Sequence, residues 1–350
     1  MTRLLTPTAS VLIGGVPLPV ESGWVELDET RTYGAAEFTL PLEDVADVDS
    51  IDPREALRTL ITLNGRTFDL GVRERRVDHA SREVIVTAAS DEMLLVDYAP
   101  LANNTALVGM ASNLRGIVNH VLSIVIPGAA LEPGTTTAVV AEPDALLWQA
   151  GVSAWEFLLN LCTAAGLRLF CDEQRKWRLV PSTYIAPGVV TAVPANSSAG
   201  EDVISREGEA WVDGVIFRYR WTDSAGNSHE RIDAAGTAGK VDVVDMDRPY
   251  PGPGAARARM MRLRGQGRTQ SASMTGQPDA TPGMEARLTL PGTRDQIGRL
   301  QRVRWDLVDG WMEVTARELT EAPDSAWIKL PSGEAWVDSP LDESWIDEVV

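Results

Sequence analysis

The residues that most often bind metals or act as nucleophiles are few in this chain, and their spacing suits neither role. The three histidines, His79, His120 and His229, form no H-E-x-x-H or H-x-x-x-H pair, the spacing that places two imidazoles on one helix face. Cys162 and Cys171 lie outside any C-x-x-C spacing, and two cysteines are too few for a disulfide framework. We therefore predict two buried or half-buried thiols, no metal site and no bound cofactor.

Signals for other catalytic chemistry are also weak. The chain has no G-x-S-x-G elbow and no G-K-[ST] loop, and Gly265-Gln266-Gly267 lacks the third glycine of a dinucleotide loop. Two acidic clusters do not follow the calcium-loop pattern and are interpreted as solvated loop charge: Asp44, Asp47, Asp49 and Asp52, and Asp242, Asp245 and Asp247. We expect a protein that is not an enzyme, although two carboxylates converging on a cleft, as in a glycosidase, leave no sequence signature.

The most specific motif is a repeat near the end of the chain, in which tryptophan recurs every nine residues with prolines between the copies: Trp327, Trp336 and Trp345. The segment 318–350 has nine acidic residues and one lysine, and too little apolar surface to fold alone. Because tryptophan is favoured as an interface anchor, we predict that 323–350 is a docking tail whose tryptophans bind a partner. We expect acidic side chains of this tail to meet basic rims on that partner: Asp338, Asp342 and Asp347.

Length and charge limit the remaining classes of function. The 350 residues suffice for two or three domains. The 32 basic and 50 acidic residues give a net charge of −18, which argues against binding nucleic acid or anionic membranes. No apolar run approaches the roughly 20 residues that span a bilayer, so no stable membrane association is predicted. Val11-Leu12-Ile13 is too short for the apolar region of a signal peptide, so we expect assembly in a cytoplasm.

Residues 1–98 have the pattern of short strands. Asn64-Gly65 lies between two apolar runs and predicts a tight hairpin, because both residues tolerate a positive φ. A second strand pair is predicted over 73–77 and 83–88. Short strands at this spacing are typical of a small barrel or sandwich.

Residues 99–198 change to a mixed helical and strand pattern. Apolar residues at helical spacing predict a helix that ends before Pro127-Gly128: Leu114, Ile117, Val118, Val121, Leu122 and Val125. A capping box, Ser153-Ala154-Trp155-Glu156, predicts a second helix with an apolar face at Trp155, Leu158, Leu159, Cys162 and Ala165. A hairpin over 167–180 follows, so this segment is expected to be a small α/β module.

Strands are predicted again in residues 199–322. Apolar and polar residues alternate at Val215, Phe217, Tyr219 and Trp221, and again at Val303, Trp305 and Leu307. Residues 248–284 are rich in Pro, Gly, Ser and Arg and are predicted to include exposed loop. Their basic cluster is interpreted as a solvated strand or loop, or alternatively as a contact with an acidic neighbouring subunit: Arg257, Arg259, Arg262, Arg264 and Arg268.

Together these patterns predict a mainly β protein with an α/β insertion. Two small β-barrel domains, 1–98 and 199–322, are expected to flank the α/β module of 99–198. The docking tail of 323–350 is expected to be extended.

Four stretches of the sequence resemble the tail-hub, or baseplate-hub-like, minor tail proteins of long-tailed bacteriophages. They are YGAAEFTLPL (33–42) with IDPR (51–54), SAWEFLL (153–159) with GLRLF (166–170), TPGMEA (281–286) with IGRL (297–300) and VRWDL (303–307), and the tryptophan repeat. Hub proteins of contractile tails and of type VI secretion spikes are similar in plan, with two β-barrels and α/β insertions in a trimeric ring. The resemblance therefore implies a homotrimeric ring at the distal end of a phage tail tube.

The resemblance also implies a set of partners and a location. The ring would contact distal-tail and tape-measure proteins on the tube side, and other minor tail, tip and receptor-binding proteins on the far side. It would be a structural part of the virion, assembled in the host cytoplasm, and DNA would only pass through its lumen. The alternatives are a tail-associated glycan-binding protein and a hydrolase of peptidoglycan or other glycans. The tryptophan repeat could also fold back on its own barrel.

Overall fold

The computed structural model describes residues 9–108, 113–140, 142–188, 190–194, 198, 199, 206, 211–223, 225–263, 270–292 and 294–321. Over these residues the chain forms eighteen strands and four α-helices. The strands are β1 Ala9–Ile13, β2 Val16–Leu18, β3 Ser22–Asp28, β4 Gly34–Pro41, β5 Arg58–Leu63, β6 Arg66–Asp78, β7 Glu83–Ala89, β8 Leu167–Cys171, β9 Trp177–Pro181, β10 Thr191–Val193, β11 Ser198–Ala199, β12 Gly214–Thr222, β13 Ser228–Gly236, β14 Val241–Met246, β15 Gln270–Thr275, β16 Glu285–Leu288, β17 Gln296–Asp306 and β18 Trp311–Glu321. The helices are α1 Glu92–Asp97, α2 Leu114–Val125, α3 Ala154–Ala164 and α4 Ala255–Arg262. The predicted class, mainly β with helices inserted between the strands, is confirmed.

Thirteen of the described strands form one large sheet. Its main path runs β11-β15-β18-β17-β3-β4-β7-β6-β5-β1-β2, with β16 added to β17 and β10 added to β16. β3 pairs antiparallel with β17, so that Val25 lies opposite Trp305 and Leu27 opposite Val303. The first and the last of the described strands are therefore joined in a single sheet. The domain boundaries at 98, 198 and 322 remain predictions.

One face of the large sheet covers the main hydrophobic core. In β4, Ala36, Phe38 and Leu40 are buried and the residues between them are half-buried, as expected of a strand with one face on a core. The predicted alternation in β17 is confirmed, because Val303 and Trp305 are buried, and the ring of Trp305 lies 5.6 Å from that of Phe68. Burial of each large apolar side chain contributes about 1.5–3 kcal/mol, so this core stabilises the whole sheet.

The Asn64-Gly65 hairpin forms as predicted. Leu63 pairs with Arg66 across a two-residue turn, and both turn residues have positive φ, 50° at Asn64 and 87° at Gly65. This is the turn whose twist matches the twist of the flanking strands. The second predicted pair is also present, as β6 and β7, which meet at Asp78 and Glu83.

Two helices and a hairpin are present within the segment 99–198 that was predicted as the α/β module. Helix α2 covers the predicted residues, and Asn113 caps it by accepting a hydrogen bond from the Arg115 N–H. Helix α3 begins after Ser153, whose hydroxyl accepts from the Glu156 N–H at 3.1 Å. The predicted hairpin is present as β8 and β9. These elements share a core of their own, built around Trp148, Trp177 and residues of α2 and α3.

The buried face of α3 differs from the predicted one. Phe157 and Leu161 are buried, whereas Leu159, which was expected to face the core, is 42% exposed. The helix packs on α1, α2 and β8 through the series 154, 157, 158, 161 and 162, which has the same helical spacing as the predicted series. A short helix with so many apolar residues can bury either of these two faces, and packing against the neighbouring elements determines which face is buried.

A small second sheet has the order β13-β12-β14 and packs on α4. Val215, Phe217 and Tyr219 are buried there as the alternation in β12 predicted, and they face Ala255 and Ala256 of α4. The prediction of exposed loop over 248–284 was incomplete, because α4 and β15 both lie within it. Small alanines form the buried face of α4, and these alternate with arginines that conceal the helical pattern.

No helix in the described part of the chain is long and apolar enough to cross a bilayer. Cys162 and Cys171 are both buried and free, as predicted.

Candidate assembly site

The predicted anchor residues fall in a part of the chain for which no structure is described. The last described residue is Glu321, at the end of β18. The predicted anchors all come after it in the sequence and lie outside the described residues: Trp327, Trp336, Trp345, Asp338, Asp342 and Asp347. Their role in docking remains a prediction. The described residues instead show how the surfaces that could meet neighbours are held in place.

The β8–β9 hairpin is the joint between the α/β module and the large sheet. Three clusters of arginine and carboxylate side chains converge on it, and we call them the arginine clamps. The backbone adds to the joint, because the Asp69 N–H donates to the Glu173 carbonyl at 2.9 Å. An aromatic contact adds further, with the rings of Tyr33 and Phe170 4.7 Å apart.

The first clamp is centred on Asp91, whose side chain is only 3% exposed. Its two oxygens bind Arg58 of β5 at 2.5 Å and Arg175 of the β8–β9 turn at 2.9 Å. Arg58 also donates to Asp69 of β6 at 2.8 Å between Nε and Oδ1. One buried carboxylate is thus neutralised by an arginine from the sheet and one from the module.

The second clamp is formed by Arg66, the first residue of β6. Its Nη2 lies 2.8 Å from Oε1 of Glu173, and its Nη1 donates to the carbonyl oxygens of Pro278 and Ala280, each at 2.8 Å. The guanidinium also lies over the ring of Trp305, 5.2 Å from its centre. One side chain therefore ties the module, the large sheet and the loop after β15 together.

The third clamp is centred on Glu29, just after β3. Arg168 of β8 binds its Oε1 at 3.0 Å, and Arg317 of β18 binds its Oε2 at 2.6 Å. All three side chains are nearly buried, and Arg168 also lies over Phe170, 4.6 Å from the ring centre. Leaving one charge of such a cluster without its partner is strongly unfavourable.

Glu92 is a fully buried carboxyl at the same joint. Its Oε1 accepts from the N–H of Cys171 at 2.8 Å and of Tyr33 at 3.3 Å, while Oε2 has no hydrogen-bond partner among the described residues. Burial raises the pKa of Glu92, because desolvation disfavours the charged form more than these hydrogen bonds favour it. Burial at the joint thus shifts the protonation equilibrium of Glu92 towards its neutral form.

The two cysteine thiols of the α/β module are not activated as nucleophiles. Burial raises the pKa of the Cys162 thiol to about 12 and that of Cys171 even further, so neither provides a thiolate nucleophile near neutral pH. The described residues contain no group of three or more His, Cys, Asp or Glu that could hold a metal ion.

The acidic and basic clusters singled out in the sequence are largely engaged in local contacts. Asp47 and Asp52 cap short helical turns. Asp242 and Asp245 lie on strand β14 rather than in a loop, where they bind Arg259 at 2.5 Å and Arg218 at 3.2 Å. The basic cluster divides, with Arg257, Arg259 and Arg262 on α4 rather than on a strand or loop, and with Arg264 and Arg268 outside the described residues.

The small sheet presents a second candidate surface, which we call the open face. It is the side turned away from α4, and in β12 it carries Ile216 and Arg218, with Val243 of β14 opposite Ile216 and Ile232 of β13 opposite Arg218. Ile232 is 57% exposed. Ion pairs of Arg218 with Asp245 and of Arg220 with Glu230 border these aliphatic residues. Exposed aliphatic residues within a rim of both charges are typical of a protein contact surface.

The clamp residues were not identified from the sequence. Arg66 and Glu173 are 107 residues apart and Arg168 and Glu29 are 139 apart, so no local spacing marks either pair. The open face could be predicted only in part. The alternation in β12 places its polar residues on one side of the strand, but it does not show that β13 and β14 add aliphatic residues to the same face.

No protein-family model matches the chain, and no curated protein matches its sequence. Solved structures match its fold. A tail protein from Neisseria meningitidis superposes with a TM-score of 0.61 at 14% identity, over 90% of this chain and 97% of that one. The 43 kDa tail protein of prophage MuSo2 from Shewanella oneidensis superposes with a TM-score of 0.63 at 12% identity, over 89% and 98% of the two chains.

The chain has the fold of phage tail proteins. A component of the type VI secretion system of E. coli, described as structurally similar to the T4 bacteriophage tail proteins gp27 and gp5, also matches. Its TM-score is 0.50 at 13% identity, over 90% of this chain and 77% of that one. The resemblance noted in the sequence is thus confirmed at the level of the fold.

Proposed function

We propose that this protein is a structural component of a phage tail and forms a homotrimeric ring at the distal end of the tail tube. The observation that carries the proposal is the extent of the fold match, which includes about nine tenths of this chain and nearly all of two phage tail proteins. Such a match over whole chains favours a shared architectural role over a shared local motif.

The contacts of the described residues suit a ring subunit. The arginine clamps hold the α/β module rigidly on the large sheet, so the outer surfaces keep a fixed relation to each other. The open face offers exposed aliphatic residues for contact with a neighbouring copy. The acidic tail of 323–350 would then reach beyond the ring, with Trp327, Trp336 and Trp345 as its anchors.

The proposed partners follow from this position. Distal-tail and tape-measure proteins would contact the ring on the tube side, and other minor tail, tip and receptor-binding proteins on the far side. The ring would be part of the virion and would be assembled in the host cytoplasm. Each copy has a net charge of −18, so a lumen that shares this charge would repel DNA phosphates and keep passing DNA from binding.

The proposed role needs no catalytic turnover. The buried joint holds its charges in pairs and its thiols protonated, which serves stability rather than reaction. The alternative of a glycan hydrolase predicts dye release from labelled host cell walls, whereas the structural role predicts none.

The first experiment measures the mass of the full chain in solution by light scattering, with negative-stain images of the same peak. A species near three times 37.9 kDa with a central hole is expected. Ile232→Asp should reduce that species to monomer, because it places a charge within the open face. Leu101→Asp is the matched control, since Leu101 is fully exposed elsewhere and its change should leave the ring intact. A monomer in the unchanged protein would contradict a self-assembled ring.

A further inference from the structure

A groove on the outer face of the large sheet holds two tryptophans and an arginine. Val25, Trp305 and Met312 point to the core, so the residues next to them in β3, β17 and β18 point outward. Pairing of β3 with β17 and of β17 with β18 brings Trp24, Arg304 and Trp311 together on that face. They line a cavity of about 350 Å³ with Glu37 and Glu313.

Trp311 is unusual for its position, because its side chain is 51% exposed on an otherwise polar strand face. Exposure of a large aromatic surface is unfavourable in water, and tryptophan in such a setting is commonly a contact for a ligand or a partner. Trp24 is half-buried beside it and has Arg304 over its ring, with the guanidinium carbon 4.2 Å from the ring centre. The groove thus has aromatic walls.

Arg304 makes no hydrogen bond with any residue that the structure describes, although it lies opposite Glu26 of β3 and interacts electrostatically with its carboxyl group. By contrast, the neighbouring Arg302 binds Glu313 at 2.8 Å. Five N–H donors of Arg304 therefore lie beside an aromatic surface and a carboxylate, Glu37, that opens into the same cavity. Sites that bind small molecules typically combine an apolar surface with a few hydrogen-bond donors and acceptors, and here Arg304 is the donor and Glu37 the acceptor.

The charges of the groove select the class of ligand. Three carboxylates, Glu37, Asp306 and Glu313, disfavour an anion such as a phosphate. Glu313 is already paired with Arg302, and Arg304 opposes the charge of the other two carboxylates, which weakens the attraction of the groove for a cation. The chain's own tail is a poor occupant, because residues 322–350 hold seven acidic residues against one lysine. A neutral ligand rich in hydroxyl groups suits both the carboxylates and the arginine. The volume is near the lower end of the roughly 300–1,000 Å³ of ligand pockets, which fits one or two sugar rings.

We propose that this groove binds a neutral saccharide. The apolar C–H face of a pyranose ring packs on Trp311, hydroxyl groups donate to Glu37 and Glu313, and Arg304 donates to ring or hydroxyl oxygens. This activity is separate from ring assembly and would give the protein a weak contact with sugars of a host surface.

The test is saturation-transfer NMR and calorimetry on the full chain with a panel of neutral sugars: glucose, galactose, mannose, rhamnose, N-acetylglucosamine and its β-1,4-linked dimer. At least one member is expected to bind in the millimolar range or tighter, and Trp311→Ala should weaken it about tenfold. Trp311→Phe should retain part of the affinity because it keeps an aromatic face. Arg304→Gln should also weaken binding.

Trp221→Ala is the matched control, because it removes another partly exposed tryptophan outside the groove and should leave affinity unchanged. Circular dichroism of each variant checks that the fold is retained. The proposal is overturned if no sugar of the panel binds at about 10 mM, or if Trp311→Ala binds as the unchanged protein does. It is also overturned if a proline-rich peptide binds the groove and no sugar does.

Discussion

Arg66 and Glu173 form an ion pair of 2.8 Å across the joint between the large sheet and the α/β module, although 107 residues separate them in the chain. The pair is mostly shielded from solvent, and the same guanidinium donates hydrogen bonds to the carbonyl oxygens of Pro278 and Ala280. Residues from three distant parts of the sequence therefore depend on one side chain. Several measurable consequences arise from contacts of this kind.

Arg66→Ala should lower the free energy of unfolding by about 3–5 kcal/mol, because it leaves the Glu173 carboxylate and two carbonyl groups without their donor. Urea unfolding followed by circular dichroism measures the change. Arg54→Ala is the matched control, since Arg54 is 87% exposed and its pair with Asp52 is solvated. That control should have little effect on stability, because solvent screens an exposed ion pair. Equal losses in the two variants would contradict the role of the joint.

Glu92→Gln should change how stability depends on pH. Burial raises the pKa of Glu92 above its ordinary value, so the folded state holds a proton that the unfolded state releases. The resulting stabilisation is complete below the ordinary glutamate value and is lost as pH rises through the raised pKa. Unfolding free energies measured from pH 4 upward should therefore fall less steeply in Glu92→Gln. The exposed Glu55→Gln should keep the slope of the unchanged protein, and parallel curves for all three proteins would refute this account.

Asp233→Ala should destabilise helix α4. The buried carboxylate of Asp233 accepts from the N–H groups of Gly254 and Ala256 at 3.0 and 2.9 Å, so it caps the helix from the neighbouring strand β13. Loss of such a cap costs about 0.5–2 kcal/mol. Hydrogen exchange should accelerate in 255–262 and stay unchanged in α2. Asp245→Asn, a change at an exposed ion pair of the same sheet, should leave the exchange of α4 as it was.

Gly65→Ala and Gly116→Ala should have opposite effects on stability. Gly65 has a φ of 87°, which disfavours alanine, so its replacement should cost about 1–2 kcal/mol. Gly116 lies inside α2, and an added Cβ there meets nothing within 4 Å. Its replacement should stabilise the protein by about 0.5–1 kcal/mol, because glycine is unfavourable in a helix interior. Thermal unfolding of the two variants and the unchanged protein measures both changes in stability. A change of the same sign in both variants would contradict this prediction.

Deletion of 323–350 should leave the fold intact and weaken docking. The described core ends before this segment, so the midpoint of thermal unfolding should be unchanged within error. Incorporation of the tagged chain into tails, measured by immunoblot of purified particles, should fall about tenfold. Replacement of Trp327, Trp336 and Trp345 by alanine should reproduce the loss, whereas Lys329→Ala should not. Full incorporation of the truncated chain would exclude the tail as a docking element.

Features set by neighbouring residues could be predicted from the sequence. The Asn64-Gly65 hairpin, helix α2 and the alternation in β12 depend on turn chemistry and on apolar spacing, which a short window of sequence contains. The choice of buried face on α3 could not be predicted, because two series of apolar residues satisfy the same spacing and the packing of α1 and β8 decides between them.

Features set by distant residues could not be predicted. Nothing near Asp91 in the sequence marks it as the partner of both Arg58 and Arg175, and nothing near Trp24 places it beside Trp311. Helix α4 was missed for a different reason. Its buried face consists of alanines, whose weak apolar signal is hidden by the arginines between them.

The pairing of β3 with β17 also sets the order of events during synthesis. Val25 cannot pair with Trp305 until Trp305 has left the ribosome, about 280 residues later. At bacterial or eukaryotic elongation rates this delay is on the order of half a minute. The strands that follow β3 can pair among themselves during that time, but the edge of β3 that faces β17 stays open until β17 has been made. A nascent subunit therefore cannot complete its large sheet, or present it to a neighbour, before β17 has left the ribosome.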